Sequence, residues 1–153
     1  MIIHEGIEQG TLEWHELRLG RVTASRVKDV LAKGKGNAPS KTRETYMLEL
    51  VTELLTGAKV DGYTNDAMQW GNETEPQARA MYELKNDVDV KEVTFISTGE
   101  NIGVSPDGLV GDNGLIEIKC PNSLTQVRRA LSDKYYTDYY KQIQMQLWVS
   151  ERP

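Results

Sequence analysis

Two acids and a lysine lie close together in the sequence around a strong turn signal. Asp107 and Glu117 are separated by nine residues, and Lys119 follows Glu117 after one apolar residue. Asp112-Asn113-Gly114 stands between two apolar runs and predicts a β-hairpin. Glu117 and Lys119 share one face of the second strand, and a three-residue loop would place Asp107 on that face too. Two carboxylates and an ammonium in one place would hold a hard divalent cation with a charge beside it.

This hairpin pattern has an ordinary alternative and a specific resemblance. Asp-Gly is often only a turn, and a Glu close to a Lys in a strand is often a solvated edge. Here, however, the pattern Pro106-Asp107 … Glu117-Ile118-Lys119 resembles the PD-(D/E)xK nuclease superfamily. The longer string SPDG … LIEIKCP resembles the lambda-exonuclease family of YqaJ-like viral recombinases.

A second string, near the N-terminus, resembles the same family. Residues 13–25, EWHELRLGRVTAS, follow its signature Trp-His-x-Leu-Arg-x-Gly-x-x-Thr-Ala-Ser. The resemblance assigns Arg18 and Ser25, together with Ser105, to a pocket for the phosphate of a DNA 5′ end. A guanidinium with a hydroxyl at a helix N-terminus is also a sensible anion site. The alternative is that Ser25 only caps a helix and Arg18 only solvates a helix end.

Two more residues gain a role from the resemblance. Glu75 falls in the pattern Trp-Gly-x-x-x-Glu and resembles the family's further active-site glutamate, with Glu73 as a rival. Gln142, in YYKQIQMQLWV, corresponds to its catalytic-site glutamine. Without the resemblance, a first-turn acid complements a helix dipole and a glutamine is simply a good helix former.

Together these residues predict a site with two Mg²⁺ ions, for which Mn²⁺ would substitute. Asp107 and Glu117, with the backbone carbonyl of Ile118, would hold the first ion, and Asp107 with Glu75, directly or through water, the second. Lys119 would orient or deprotonate the attacking water. Gln142 would hold that water or a phosphate oxygen.

Caps and helix breakers predict the elements that position the N-terminal residues. Thr11 is expected to cap a first helix, and Gly20 to end it. Thr23-Ala24-Ser25 offers hydroxyl caps to a second helix. Ser40 is expected to cap a third helix that ends at Gly57.

Further along, a polar connector at 58–66 precedes a fourth helix with Pro76 in its first turn. A strand is predicted at 88–97, a short helix at 124–131, and a long helix from Tyr135 that packs against the sheet. The apolar spacing also predicts the buried face of three helices. For the third helix this face is Leu48, Val51, Leu54 and Leu55, and for the fourth it is Ala78, Met81 and Tyr82. For the last helix it is Tyr136, Tyr140, Ile143 and Leu147.

Length and composition predict one α/β domain over residues 1–153, with a mixed central sheet flanked by helices. The resemblance implies the restriction-endonuclease-like PD-(D/E)xK fold for this core. Members normally continue past the glutamine helix with another strand and helix, so a truncated or unusually short member is expected. The lone Cys120 suits a reducing cytoplasm, and no apolar run is long enough for a membrane span.

The distribution of charge favours a polyanionic partner although the net charge is −5. Residues 18–43 hold eight basic residues and one acid, Asp29, so this segment carries +7 and the remainder −12. Such asymmetry indicates nucleic acid, with a solvated lysine-rich loop as the alternative.

The sequence therefore predicts a metal-dependent deoxyribonuclease. The resemblance implies a 5′→3′ exonuclease that digests double-stranded DNA from its ends in phage-type recombination. It also implies a toroidal homotrimer, a single-strand annealing protein as partner, and a phage or prophage origin in a bacterial cytoplasm. Two alternatives stay open at this point: a restriction-type or structure-specific PD-(D/E)xK endonuclease, and a DNA-binding module without activity.

Overall fold

The computed structural model describes residues 1–36, 38–60, 66–132 and 135–153, with residues 67, 68 and 135 described by their backbone only. Residues 61–65 of the predicted connector lie outside the described residues. The described helices are α1 (Leu12–Arg18), α2 (Val27–Val30), α3 (Lys41–Thr56), α4 (Asp66–Asn86), α5 (Ser123–Ala130) and α6 (Tyr135–Val149). The described strands are β1 (Ile2–His4), β2 (Val22–Thr23), β3 (Val90–Lys91), β4 (Phe95–Thr98), β5 (Ile102–Val104), β6 (Gly108–Val110) and β7 (Gly114–Ile116).

The described strands form two hydrogen-bonded sheets. The larger has the order β1-β4-β5-β2 and the smaller β3-β6-β7. Strands β2 and β5 are parallel and the other pairs are antiparallel, so the predicted mixed sheet is confirmed. The single strand predicted at 88–97 is wrong, because β3 and β4 belong to different sheets. Between them, Thr94 bonds outside any ladder: its hydroxyl donates to Ile7 O, and its carbonyl accepts from the Trp14 indole.

The predicted hairpin is formed by β6 and β7, with a loop over residues 111–113. Its register pairs Gly108 with Ile116 and Val110 with Gly114. Asp107 and Glu117 therefore lie opposite each other, one position beyond the Gly108–Ile116 pair, as expected for a three-residue loop. Arg152, just after α6, donates to the carbonyls of Gly111 (3.0 Å) and Gly114 and so ties the loop to this helix.

Most of the predicted helix ends are confirmed. Thr11 Oγ1 accepts from the Trp14 N–H at 3.3 Å, and Ser40 Oγ accepts from the Arg43 N–H at 3.3 Å. The predicted caps in the Thr23-Ala24-Ser25 segment are wrong. Residues 24–26 form a 3₁₀ turn whose N-cap makes no side-chain bond, because the two hydroxyls instead lie 3.4 Å from each other.

Gly57 ends α3 in the left-handed conformation, as expected. The first-turn position predicted for Pro76 is wrong, since α4 already begins at Asp66. Pro76 lies in the interior of this helix, where it removes one backbone hydrogen-bond donor.

The core lies where α6 and the 3₁₀ turn pack on the larger sheet. Its buried members are Ala24, Val93, Ile96, Val104, Leu109, Met145 and Val149. The long helix at the sheet is thus confirmed, but its predicted inner face is wrong. Tyr136 and Tyr140 are exposed, Ile143 and Leu147 are only half-buried, and Met145, Gln146 and Val149 are buried instead.

The predicted inner faces of α3 and α4 are also wrong. Helix α3 buries Tyr46 and Leu50, and the Tyr46 hydroxyl accepts from the Thr23 N–H. Five apolar side chains of α3 are exposed: Met47, Leu48, Val51, Leu54 and Leu55. Met81 and Tyr82 of α4 are exposed too. Each helix has apolar residues on more than one face, and the periodicity of the sequence does not show which face packs against another element.

Candidate active site

Asp107 directly precedes β6, and its carboxylate contacts the backbone just after β7. Its Oδ2 accepts from the Ile118 N–H at 2.5 Å, so this contact uses the amide of Ile118 rather than the carbonyl proposed as a ligand. Burial raises the pKa of Asp107 to about 7, with Glu117 and Glu75 adding to the rise. The Ile118 hydrogen bond and Lys119 oppose it. The charges of Glu117 and Glu75 thus both act on the buried carboxyl group of Asp107.

Glu117 follows β7, and its carboxylate accepts hydrogen bonds from three side chains. Its side chain is only 5% exposed. Oε1 accepts from the Lys119 ammonium and from the Gln142 amide, while Oε2 accepts from the Gln146 amide at 2.5 Å. The structure therefore brings together Asp107, Glu117, Lys119 and Gln142, as the sequence predicted.

Gln146 is the residue that sequence reasoning missed. It lies one turn after Gln142 on α6, so both amides project toward Glu117. Its four-residue spacing from Gln142 was the available signal.

Lys119 is half-buried between Glu117 and the ring of Tyr139. Burial alone would lower its pKa, but Glu117 and Asp107 raise the pKa above its usual value. The ammonium lies 5.4 Å from the Tyr139 ring centroid, and the Arg129 guanidinium lies 4.9 Å from the same centroid. This side of the site is therefore cationic.

Of the two rival glutamates on α4, the structure favours Glu75. Glu75 pairs with Arg79 at 2.8 Å and contributes to the raised pKa of Asp107. Arg79 also pairs with Glu92. Glu73 accepts from Gln69 in an exposed position.

The donor set fits a hard divalent cation held partly by water. Ionised Asp107 is disfavoured by burial and by two neighbouring carboxylates, and a cation would reverse that penalty. Within the described part of the chain, no three Asp, Glu, His or Cys side chains stand close enough to bind a metal by themselves. Backbone carbonyl and water ligands would complete the shell, as is common for Mg²⁺.

Arg18 is half-buried among aromatic and hydroxyl groups. Its guanidinium is 4.1 Å from the Trp14 ring centroid, and Nη1 donates to Ser105 Oγ at 3.0 Å. The Ser105 hydroxyl donates in turn to Thr94 O at 3.0 Å. Burial lowers the pKa of Arg18 to about 10, so it stays protonated at neutral pH. Among the described residues, no carboxylate lies within ion-pair distance of it.

One cavity of about 1230 Å³ connects the two groups. Its lining includes Arg18, Ser25, Glu75 and Asp107. Ser105 accepts a direct hydrogen bond from Arg18, whereas Ser25 only lines the same cavity as Arg18. A guanidinium and two carboxylates therefore line the same cavity.

The model of the YqaJ-like viral recombinase domain matches residues 13–153. The chain belongs to this family. No curated protein matches the chain significantly.

Solved structures agree with the family assignment. An alkaline exonuclease from Laribacter hongkongensis, LHK-Exo, is 46% identical, with a TM-score of 0.81 over 93% of this chain and 70% of its own. Its complex with dAMP gives a TM-score of 0.82 with the same identity and coverage. A phage-related exonuclease from Haemophilus somnus 129PT, 20% identical over 86% of this chain and 64% of its own, shares the fold with a TM-score of 0.68.

These matches confirm the predicted family, the α/β restriction-endonuclease-like fold class and the prediction of a nuclease. None of the described helices combines the length and apolarity that crossing a membrane requires.

Proposed function

We propose that this chain is a Mg²⁺-dependent exonuclease that digests double-stranded DNA from its 5′ ends. The observation that carries the proposal is one cavity shared by two unlike groups. Its lining includes the half-buried guanidinium of Arg18, which has no carboxylate partner among the described residues, and the carboxylates of Asp107 and Glu75. The identity to an alkaline exonuclease supports the nuclease chemistry.

In this proposal the hairpin supplies the metal ligands. Asp107, Glu117 and the carbonyl of Ile118 would hold one divalent cation, and Asp107 with Glu75, through water, a second. When bound, two such cations would stabilise the attacking and leaving oxygens of an in-line displacement.

The remaining residues orient the reactants. Lys119, fixed against Glu117, presents an ammonium to the attacking water or to a phosphate oxygen. Gln142 shares the same carboxylate oxygen, and its amide carbonyl is available to orient that water. Both side chains are positioned by Glu117 before substrate arrives.

Recognition of the DNA end is assigned to Arg18 with Ser105 and Ser25. A terminal phosphate carries close to two negative charges at neutral pH, whereas an internal diester carries one. Trp14 restricts the Arg18 side chain, so little conformational entropy is lost when an anion binds. Ser105 accepts from the guanidinium and donates to Thr94 O, so it contributes by holding Arg18 in place.

Replacing Arg18 by alanine is expected to erase the preference for 5′-phosphorylated ends. A charge-assisted hydrogen bond contributes about 1.5–3 kcal/mol, which corresponds to roughly a ten- to hundred-fold preference in the unaltered protein. The measurement is the digestion rate of 5′-phosphate and 5′-hydroxyl duplexes in Mg²⁺. Labels at either 5′ or 3′ ends report direction, and a closed circular duplex should stay intact.

Arg21→Ala is the matched control, because Arg21 also lines the cavity but donates to the exposed carbonyl of Gly99. It should slow digestion of both duplexes alike. If Arg18→Ala kept the full preference for phosphorylated ends, the end pocket would be wrong. Cleavage of the closed circle would contradict exonuclease action altogether.

Further parts of the proposal rest mainly on the family. They are a toroidal homotrimer, a single-strand annealing protein as partner, action in phage-type recombination, and a bacterial cytoplasmic location. The exposed apolar face of α3 supports an assembly, since such a contiguous surface commonly marks a protein interface.

A further inference from the structure

We infer that Gln146 is a positioning residue that fixes the Glu117 carboxylate and thereby sets the affinity of the site for its divalent cation. The inference rests on the proposed function, because it takes Glu117 as a metal ligand. It assigns Gln146 a task different from that of Gln142, although both amides reach the same carboxylate.

The division of donors around Glu117 is the first observation. Lys119 and Gln142 both donate to Oε1, whereas Gln146 donates to Oε2 at 2.5 Å. A carboxylate only accepts hydrogen bonds, so the Gln146 amide must turn its NH₂ group toward Glu117. Each of the two oxygens thus has its own donor, which fixes the rotation of the carboxylate plane.

The burial of Gln146 is the second observation. The side chain is 0% exposed and stands on the face of α6 that buries Met145 and Val149 in the core. Its Oε1 is buried without a hydrogen-bond partner among the described residues. An unsatisfied buried acceptor costs about 1–3 kcal/mol, and an apolar residue would pack here without that cost. Packing therefore does not explain an amide at this position, whereas the contact with Glu117 does.

The loss of Gln146 is expected to weaken metal binding, because residues that hydrogen-bond to a metal ligand usually affect how tightly the metal binds. Groups that orient a ligand by hydrogen bonds commonly contribute about ten- to hundred-fold in metal affinity. Without Gln146, the Glu117 carboxylate would be held at Oε1 alone and could rotate, so its oxygens would no longer be kept in a fixed direction for a cation. The loss should fall on metal affinity more than on turnover at saturating metal.

The test uses Gln146→Met, which keeps the approximate volume but removes the donor. Mn²⁺ binding to the DNA-free protein is followed by the electron paramagnetic resonance signal of free Mn²⁺. We expect a Kd about ten- to hundred-fold weaker than in the unaltered protein. Turnover on linear duplex should require correspondingly more Mg²⁺ and recover most of its value at saturation. Gln144→Met is the matched control, because Gln144 is exposed on the same helix, and it should bind Mn²⁺ normally.

The outcomes separate this inference from the proposed function. Equal Mn²⁺ affinity in the Gln146→Met and Gln144→Met proteins would overturn the inference and leave the nuclease proposal intact. Failure of the unaltered protein to bind Mn²⁺ would instead overturn the proposed metal chemistry and, with it, this inference. Circular dichroism checks folding. Should Gln146→Met not fold, Gln146→Asn keeps a buried amide too short to reach Glu117, and the same loss of affinity is expected.

Discussion

Asp107→Ala and Glu117→Ala proteins should fold, yet release no measurable nucleotide from linear duplex DNA. Each substitution removes a proposed metal ligand from the hairpin, and with it several kcal/mol of transition-state stabilisation. A loss of about 4 kcal/mol corresponds to about a 10³-fold lower rate, and the expected loss is at least this large. Asp107→Ala also removes the acceptor of the Ile118 N–H, but Asp107 lines the cavity, so water can take the place of its carboxylate.

Single-turnover digestion in Mg²⁺ measures the loss, and Mn²⁺ binding to the DNA-free proteins shows whether metal affinity is lost with it. Duplex binding is measured in Ca²⁺, which accepts looser geometry and is expected to occupy the site without turnover. Asp112→Ala is the control, because Asp112 is an exposed acid in the loop of the same hairpin. Retained cleavage in both variants would show that the metal site lies elsewhere.

Lys119→Ala should lower turnover by about 10²-fold or more, the usual contribution of a positioned group that handles a proton or a developing charge. The ammonium is held against Glu117 and near Tyr139, so its direction is fixed in the resting site. Duplex affinity should change little, because one charge among many phosphate contacts contributes modestly to binding.

The matched control for Lys119 is Lys141→Ala, which removes an exposed ammonium from α6. Gln142→Ala should slow turnover less than Lys119→Ala, because Gln142 carries no charge. The rate constant of the bound complex and the duplex Kd are measured separately. If Lys119→Ala weakened binding as much as it slowed turnover, Lys119 would be a phosphate contact rather than a catalytic residue.

The hairpin was predictable from sequence because its determinants are local. The turn signal at Asp112-Asn113-Gly114 and the alternation of side chains fix which residues share a face. The structure brings Asp107, Glu117 and Lys119 together as expected, but the predicted extent of the second strand is wrong, because β7 ends at Ile116, before Glu117 and Lys119. The resemblance located Gln142, which no local pattern distinguishes from any other helical glutamine.

The buried faces of the helices were not predictable in the same way. Helix α6 turns Met145, Gln146 and Val149 inward and leaves Tyr136 exposed, because contact with the sheet selects the row. Tyrosine occurs in both buried and exposed positions, so the spacing of tyrosines does not show which face of a helix is buried. Gln146 was missed for the same reason, since a polar residue inside a core is justified only by a partner distant in the sequence, here Glu117.

The register of the β6–β7 hairpin also limits how this nuclease family member could change by insertion or deletion. The loop at 111–113 joins two strands, and Asp107 and Glu117 lie opposite each other at the other end of the hairpin. Adding one residue within a strand would turn one of the two carboxylates to the other side of the sheet, while adding two would restore it. Length variation between the two acids is therefore compatible with the site only in even steps or within the loop itself. The spacing of the motif is thus a geometric requirement of the pleat, independent of which residues fill the turn.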